Sequence, residues 1–225
     1  MEQFLISPIR RYFDVEVPPK TSRNKPWPLL IALHGYEGDK TSMMRVARRI
    51  ADGKMVVISL QGPHQFFLRG ANRPESYRVG FGWGTTYKME DSIELHHHDL
   101  RSLTRLATKS FRVDPKRVFL LAFSQACSYN YRFVFTHPRA IRGVVGICGG
   151  VPGDWDENPR YKRAQTHVLH IAATRDQWYS RQDNLQFRRR LAQRAASLDF
   201  RFYNSPHKFP RTSIPHIRAW IQKHL

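Results

Sequence analysis

Three residue types that together can activate a hydroxyl occur in a fixed order along the chain. Ser124 follows the apolar run in "RVFLLAFSQACSYNYRF" (117–133), Asp176 closes "THVLHIAATRD", and His207 closes "LDFRFYNSPH". A serine hydroxyl is barely nucleophilic at neutral pH unless an imidazole takes its proton. The imidazole in turn needs a carboxylate to fix its tautomer and stabilise its cationic form. Attack on a carbonyl also needs backbone N–H groups aimed at the oxygen that becomes negative, each worth about 2.7–4 kcal/mol. The Gln125 N–H, at the start of the helix expected after Ser124, is one candidate donor. The Tyr36 N–H, in the turn "LHGYEGD", is the other.

Each of these residues has a competitor. Serine is a common helix N-cap, so Ser124 taken alone decides nothing. Asp154 and Asp183 compete with Asp176, and Asp154 follows the preceding strand; Asp176 is preferred because it stands at a strand end within "TRD". His167, His170 and His216 lie within or beside regular elements, whereas His207 lies in a strand-end loop. The triplet "HHH" at 96–98 invites a metal reading. Consecutive helical side chains diverge by roughly 100°, so the three cannot converge on one ion. There is also no H-E-x-x-H pattern, and neither a metal nor another cofactor is expected.

The elements that must position these groups alternate. "RRYFDVEVPP" reads as an edge strand ending in prolines. "WPLLIALHG" is a continuous apolar run, the pattern of a strand buried on both faces. Asp39 opens a helix that Gly53 stops, and "KMVVISLQGP" is the next strand. A long Gly- and aromatic-rich loop is expected over "HQFFLRGANRPESYRVGFGWGTTYKME". Asp91 with Glu94 resembles a capping box opening a helix to about Phe111. Then come "RVFLLAFS" (strand), "QACSYNYRFVFTHP" (helix), "IRGVVGICGG" (strand), "THVLHIAAT" (strand), "RQDNLQFRRRLAQRAA" (helix), "LDFRFYNS" (strand) and "PRTSIPHIRAWIQKHL" (helix). Strands separated by helical segments imply an α/β fold with a mostly parallel sheet and helices on both faces. Function then collects at the carboxyl ends of the strands, where Ser124, Asp176, His207 and Tyr36 all fall.

The set "LHGYEGD", "FSQA", "TRD" and "PHKF", in this order on this strand pattern, resembles the α/β-hydrolases, with their strained strand-to-helix elbow and Ser–Asp–His order. The short chain, the glutamine directly after the serine and the lack of a large lid domain resemble the phospholipase/carboxylesterase (acyl-protein thioesterase-like) group. The resemblance covers about residues 12–225. It implies a serine carboxylesterase working through an acyl-enzyme, with a small-molecule ester as substrate. A thioesterase or peptidase of the same fold, or a non-catalytic basic binding protein on that scaffold, stays open beside it. The chain departs from the pattern in three places. Ala122 and Ala126 stand where the elbow usually has glycines, Pro206 stands before His207 where relatives often have glycine, and the loop after "VVISL" is aromatic. Methyl groups are the least intrusive replacement for those glycines.

The aromatic residues Phe81, Trp83, Tyr87, Trp155, Trp178 and Tyr179 are expected around the site. Trp83 and Trp178 are singled out as substrate-binding walls that would favour short acyl or aryl esters. With 225 residues and 41% hydrophobic composition, the chain suits one sizeable domain, 1–225. It has no secretory pattern, and no segment nears the roughly 18 apolar residues of a membrane span. Its two cysteines, Cys127 and Cys148, lie in apolar runs, which fits a cytoplasmic protein. The formal net charge of +19 is spread along the chain. It suits an anionic substrate or surface; the one dense cluster, "QFRRRLAQR", lacks the repeated stacking aromatics of a single-strand binder, so no specific nucleic acid is expected.

Overall fold

A computed structural model describes residues 1–19, 25–68 and 78–225. One seven-stranded sheet carries the fold. Its strands are β1 (Phe13–Glu16), β2 (Trp27–Leu33), β3 (Val56–Leu60), β6 (Val113–Phe123), β7 (Gly143–Ile147), β8 (His167–Arg175) and β9 (Ser197–Pro206), in the spatial order β1-β3-β2-β6-β7-β8-β9. All neighbours are parallel except β1, which pairs antiparallel with β3 at the edge.

The helices α1 (Lys40–Ala51), α2 (Met89–Phe111), α3 (Gln125–Thr136), α4 (Arg181–Arg194) and α5 (Ile214–Lys223) cover both faces. On one face Leu100 and Leu103 of α2, Phe133 of α3 and Leu191 of α4 pack on Leu29, Ile31, Val56 and Leu120. On the other, Met43, Ala47 and Ile50 of α1 and Ile217 and Trp220 of α5 pack on Leu30, Val57, Leu121 and Leu169. Successive strand residues thus serve opposite layers, which is why the central strands read as unbroken apolar runs. Each fully buried Leu or Ile contributes about 1.5–3 kcal/mol to holding the strand ends in register.

Asp39 caps α1 by accepting the Ser42 N–H at 2.6 Å, and Asp52 ends it in the left-handed region (φ 53°) just before Gly53. Two expectations are corrected. The loop after β3 contains a hairpin, β4 (His64–Phe67) and β5 (Val79–Gly82), paired antiparallel from His64↔Gly82 to Phe67↔Val79. Four-residue strands with two glycines carry too weak an alternation to be seen in sequence. Part of that loop, 69–77, lies outside the described residues. Second, α2 starts at Met89 rather than Asp91, behind Lys88 at φ 47°, with no side-chain cap bond. Glu90 and Asp91 therefore lie in its first turn, where carboxylates favour the positive end of the helix dipole.

Candidate active site

Ser124 is the single residue between β6 and α3. Its backbone takes φ 54° and ψ −119°, a conformation that costs a residue with a side chain roughly 1–3 kcal/mol. Neighbouring chain holds it there: the Ser124 N–H donates to Ile147 O at 2.9 Å, and Ser124 O accepts the Cys127 N–H at 2.9 Å. The side chain makes no cap hydrogen bond, so the hydroxyl is not spent on α3. Ala122 and Ala126 are fully buried. The tight approaches fall on the adjoining strand ends instead. A Cβ on Gly35 would stand 2.7 Å from Phe123 Cδ1 and 3.2 Å from Ser124 Cβ, and one on Gly149 would stand 2.4 Å from Ser124 O. The close packing usually assigned to elbow glycines is met here by Gly35 and Gly149 on either side, which is how two alanines are accommodated.

His207 stands beyond the end of β9 with its Nε2 2.8 Å from Ser124 Oγ. Its Nδ1 lies 2.8 Å from Asp176 Oδ2 and 3.0 Å from Oδ1. An ionised carboxylate only accepts, so Nδ1 carries the proton and Nε2 is left to accept from the serine. Asp176, just past β8, also accepts the N–H groups of Trp178 at 2.8 Å and Tyr179 at 3.1 Å. Its side chain is 1% exposed and that of His207 10%, so the pair lies largely out of water. The rings of Phe123, Tyr179 and Trp178 border the imidazole at 5.3, 6.1 and 6.4 Å.

On the opposite side of Ser124 lies the turn after β2. Among the described residues, neither the Tyr36 N–H nor the Gln125 N–H is taken up by a turn or loop hydrogen bond. Gly35 O accepts from Gly38 N–H at 3.0 Å and lies 2.7 Å from His34 Nδ1. Because the Gly62 N–H donates to His34 Nε2 at 2.9 Å, the ring proton must be on Nδ1, which therefore donates to Gly35 O. Burial lowers the pKa of His34 and keeps the ring neutral, against the raising effect of its bond to Gly35. The sequence marks His34 and Gly35 at a strand end and Gln125 after the serine, but assigns no role to the His34 ring, to Gly35 and Gly149 as close-packing glycines, or to the Gln125 side chain. A histidine closing an otherwise apolar strand, "LLIALH", was the available signal.

The competing residues are engaged elsewhere. Asp154 pairs with Arg132 at 2.6 Å and Asn158 at 2.8 Å beside a cavity of about 680 Å³ that contains neither Ser124 nor His207. Asp183 completes the capping box of α4 with Ser180. His170 bonds Tyr131 at 2.8 Å, His167 stacks on His224 at 4.1 Å, and His216 meets Asp199 at 3.1 Å. His96 and His97 are buried with rings 5.9 Å apart, while His98 is exposed. Among the described residues no group of three or more His, Cys, Asp or Glu is arranged to hold a metal. Burial raises the Cys127 thiol pKa and, with the nearby Asp176 charge as a second cause, pushes Cys148 up to about 12, so neither thiol is poised as a nucleophile.

The aromatic set divides. Trp178 is 72% exposed beside His207, whereas Trp83 is 1% exposed behind the Tyr36 turn. Trp155, expected near the site, is instead fully buried against Phe135 and Tyr161. It lies within a turn at 153–157 and packs its indole on Phe135 of α3. Tyr87 is exposed and meets Glu2.

A parallel sheet with helices on both faces and a strained serine turn between strand and helix defines the α/β-hydrolase fold. The chain belongs to the Phospholipase/Carboxylesterase family, whose profile matches residues 16–225, and it is a hydrolase of the carboxylic-ester class. Solved structures share the fold. A Bacillus cereus carboxylesterase superposes with a TM-score of 0.74 at 17% identity, over 96% of this chain and 95% of that one. A carboxylesterase from Mesorhizobium loti does so with a TM-score of 0.69 at 21% identity, over 87% and 88%. No curated protein matches the chain in sequence. No helix among the described residues is long and apolar enough to cross a membrane.

Proposed function

We propose that the chain is a serine carboxylesterase in which Ser124, His207 and Asp176 act as the triad and the N–H groups of Tyr36 and Gln125 hold the oxyanion. The reading rests above all on His207, whose two ring nitrogens lie 2.8 Å from Ser124 Oγ and 2.8 Å from Asp176 Oδ2.

Ser124 Oγ attacks the ester carbonyl carbon while its proton passes to His207 Nε2. The carbonyl oxygen becomes an alkoxide between the Tyr36 and Gln125 N–H groups, and Asp176 stabilises the imidazolium. Collapse breaks the bond to the alcohol, which leaves with the proton from Nε2, and an acyl-Ser124 ester remains. Water then attacks that ester, giving its proton to Nε2. The second collapse releases the acid and returns the proton to Ser124. The strained Ser124 backbone serves this sequence by lifting the hydroxyl off α3 and toward the imidazole.

Trp178 and Tyr179 border His207 and limit the space for the acyl or alcohol group, which favours small acyl or aryl esters. Hydrolysis of p-nitrophenyl acetate and butyrate by the wild type and by Ser124→Ala tests the proposal. The wild type should turn over both and Ser124→Ala should be slower by about 10³-fold or more, as for loss of a nucleophile. Equal rates would sink it.

A further inference from the structure

Trp83 touches both segments that carry the proposed oxyanion donors, the turn after β2 and the start of α3. Its indole Nε1–H donates to His34 O at 2.7 Å, and its backbone N–H donates to Gln125 Oε1 at 3.0 Å. The Gln125 amide then donates from Nε2 to Gly84 O at 2.9 Å, so the glutamine grips the chain on both sides of Trp83. The preceding residue is wedged between the same two partners: a Cβ on Gly82 would stand 3.3 Å from Tyr36 Cδ2 and 3.4 Å from Gln125 Oε1. The indole packs at 5.2 Å on the His34 ring and 5.8 Å from His96.

An oxyanion hole contributes only if its donors are fixed before the charge appears. The Gln125 N–H is held by the elbow and by α3. The Tyr36 N–H belongs to a turn and has no ladder to fix it. A trans peptide directs its N–H opposite to its C=O, so whatever holds Gly35 O aims the Tyr36 N–H. His34 Nδ1–H and Gly38 N–H hold Gly35 O, and Trp83 holds the carbonyl of His34. A continuous set of contacts therefore runs from the Gln125 side chain through Trp83 and His34 to the Tyr36 peptide.

We propose that Trp83 is a positioning residue that fixes the separation of the two oxyanion donors, bonding the Tyr36 turn with its indole and the Gln125 side chain with its backbone. The proposal rests on the serine-esterase reading above. It gives Trp83 a role that does not require contact with substrate, consistent with its burial.

Two variants break the brace from different ends. Trp83→Phe keeps an aromatic ring but has no indole N–H; Gln125→Met keeps the backbone N–H and the chain length but makes neither side-chain bond. Each is assayed on a p-nitrophenyl ester and on the matching thionoester, whose sulfur fits an oxygen-sized hole poorly. Since the donors are loosened rather than removed, kcat on the ester should fall about tenfold in each variant. KM should stay within about twofold, the inflections of the pH–rate profile should not move, and the ester-to-thionoester rate ratio should fall. The double variant should lose less than the product of the single losses, because both break one connection. A purely packing role would lower the melting temperature and leave kcat and the ratio alone.

Wild-type kcat and rate ratio in both variants would overturn the brace while leaving the triad standing. Should Trp83→Phe fail to unfold cooperatively, Gln125→Met alone decides. A wild type without Ser124-dependent hydrolysis would overturn the esterase reading and the brace together.

Discussion

Ser124 has a different neighbourhood on each side. Toward β2 the site is made of backbone: the Tyr36 turn, the close approach of Gly35 to Ser124, a neutral buried His34 and the buried Trp83. Toward β8 and β9 it is made of side chains: a carboxylate, an imidazole and an exposed tryptophan. In the proposed mechanism the first side presents dipoles that do not move, and it is locked by close packing and hydrogen bonds. The second passes a proton back and forth, and its His207 meets Asp176 and Ser124 at its two nitrogens with aromatic rings beside it. Trp83 and Trp178 look alike in sequence, since both are loop tryptophans expected to line the site. Their exposures of 1% and 72% assign them to opposite sides of this division.

The division can be broken side by side. The largest effect is expected on the side-chain half. Asp176→Asn preserves the two N–H contacts from Trp178 and Tyr179 but no longer holds His207 in the right tautomer, and kcat should fall by roughly 10³–10⁴-fold at neutral pH in steady-state assays. A loss under tenfold would mean that another acid serves His207. On the backbone half, Gly35→Ala places a methyl 2.7 Å from Phe123 and 3.2 Å from Ser124 Cβ, forcing the Tyr36 turn outward. A kcat loss of about 10²–10³-fold with KM little changed is the outcome for one misplaced oxyanion donor. An unchanged kcat would show that Tyr36 is not one. Trp178→Ala, at the exposed rim, should change KM by only a few-fold and chiefly for the bulkier ester; an equal effect on acetate and butyrate would remove it from the substrate wall.

A last effect, read in stability rather than in kcat, separates both halves from the core beneath them. His96 and His170 are fully enclosed and burial lowers each to about 3. The folded state then binds fewer protons than the unfolded one between the ordinary value of 6.5 and that lowered value. Their contribution to stability is whole above pH 6.5 and is lost as pH falls below it, by about 1.4 kcal/mol per pH unit for each histidine. The melting temperature should drop from pH 7 to pH 5, and His170→Phe should make that drop shallower. A flat profile would mean that these rings are already charged or hydrated.

Much of the side-chain half was legible in the sequence, because a strand end is marked by a sudden change from apolar to polar residues. "LLAFSQ", "IAATRD" and "FYNSPH" each make that change at the candidate residue that the structure brings to the site. The backbone half was legible only in its donors. Trp83 directly follows a hairpin of two four-residue strands, too short to show a period, and its partners are the carbonyl of His34 and the side chain of Gln125. No spacing rule links those positions, since sheet register brings them together. Why the elbow can do without its glycines was not legible, for a related reason. The close approaches are made by Gly35 and Gly149, far away in sequence on the neighbouring strand ends, and only the register of β2 and β7 against β6 puts them beside Ser124.

The central claim is that Ser124 is an activated nucleophile. Its most direct test is covalent labelling by a fluorophosphonate, in which the attacking oxygen bonds phosphorus and fluoride leaves. Digestion and mass spectrometry of the treated wild type should find one phosphonyl group per chain, on the peptide containing Ser124, and none after Ser124→Ala. An unlabelled wild type, or an adduct on a different residue, would contradict the account.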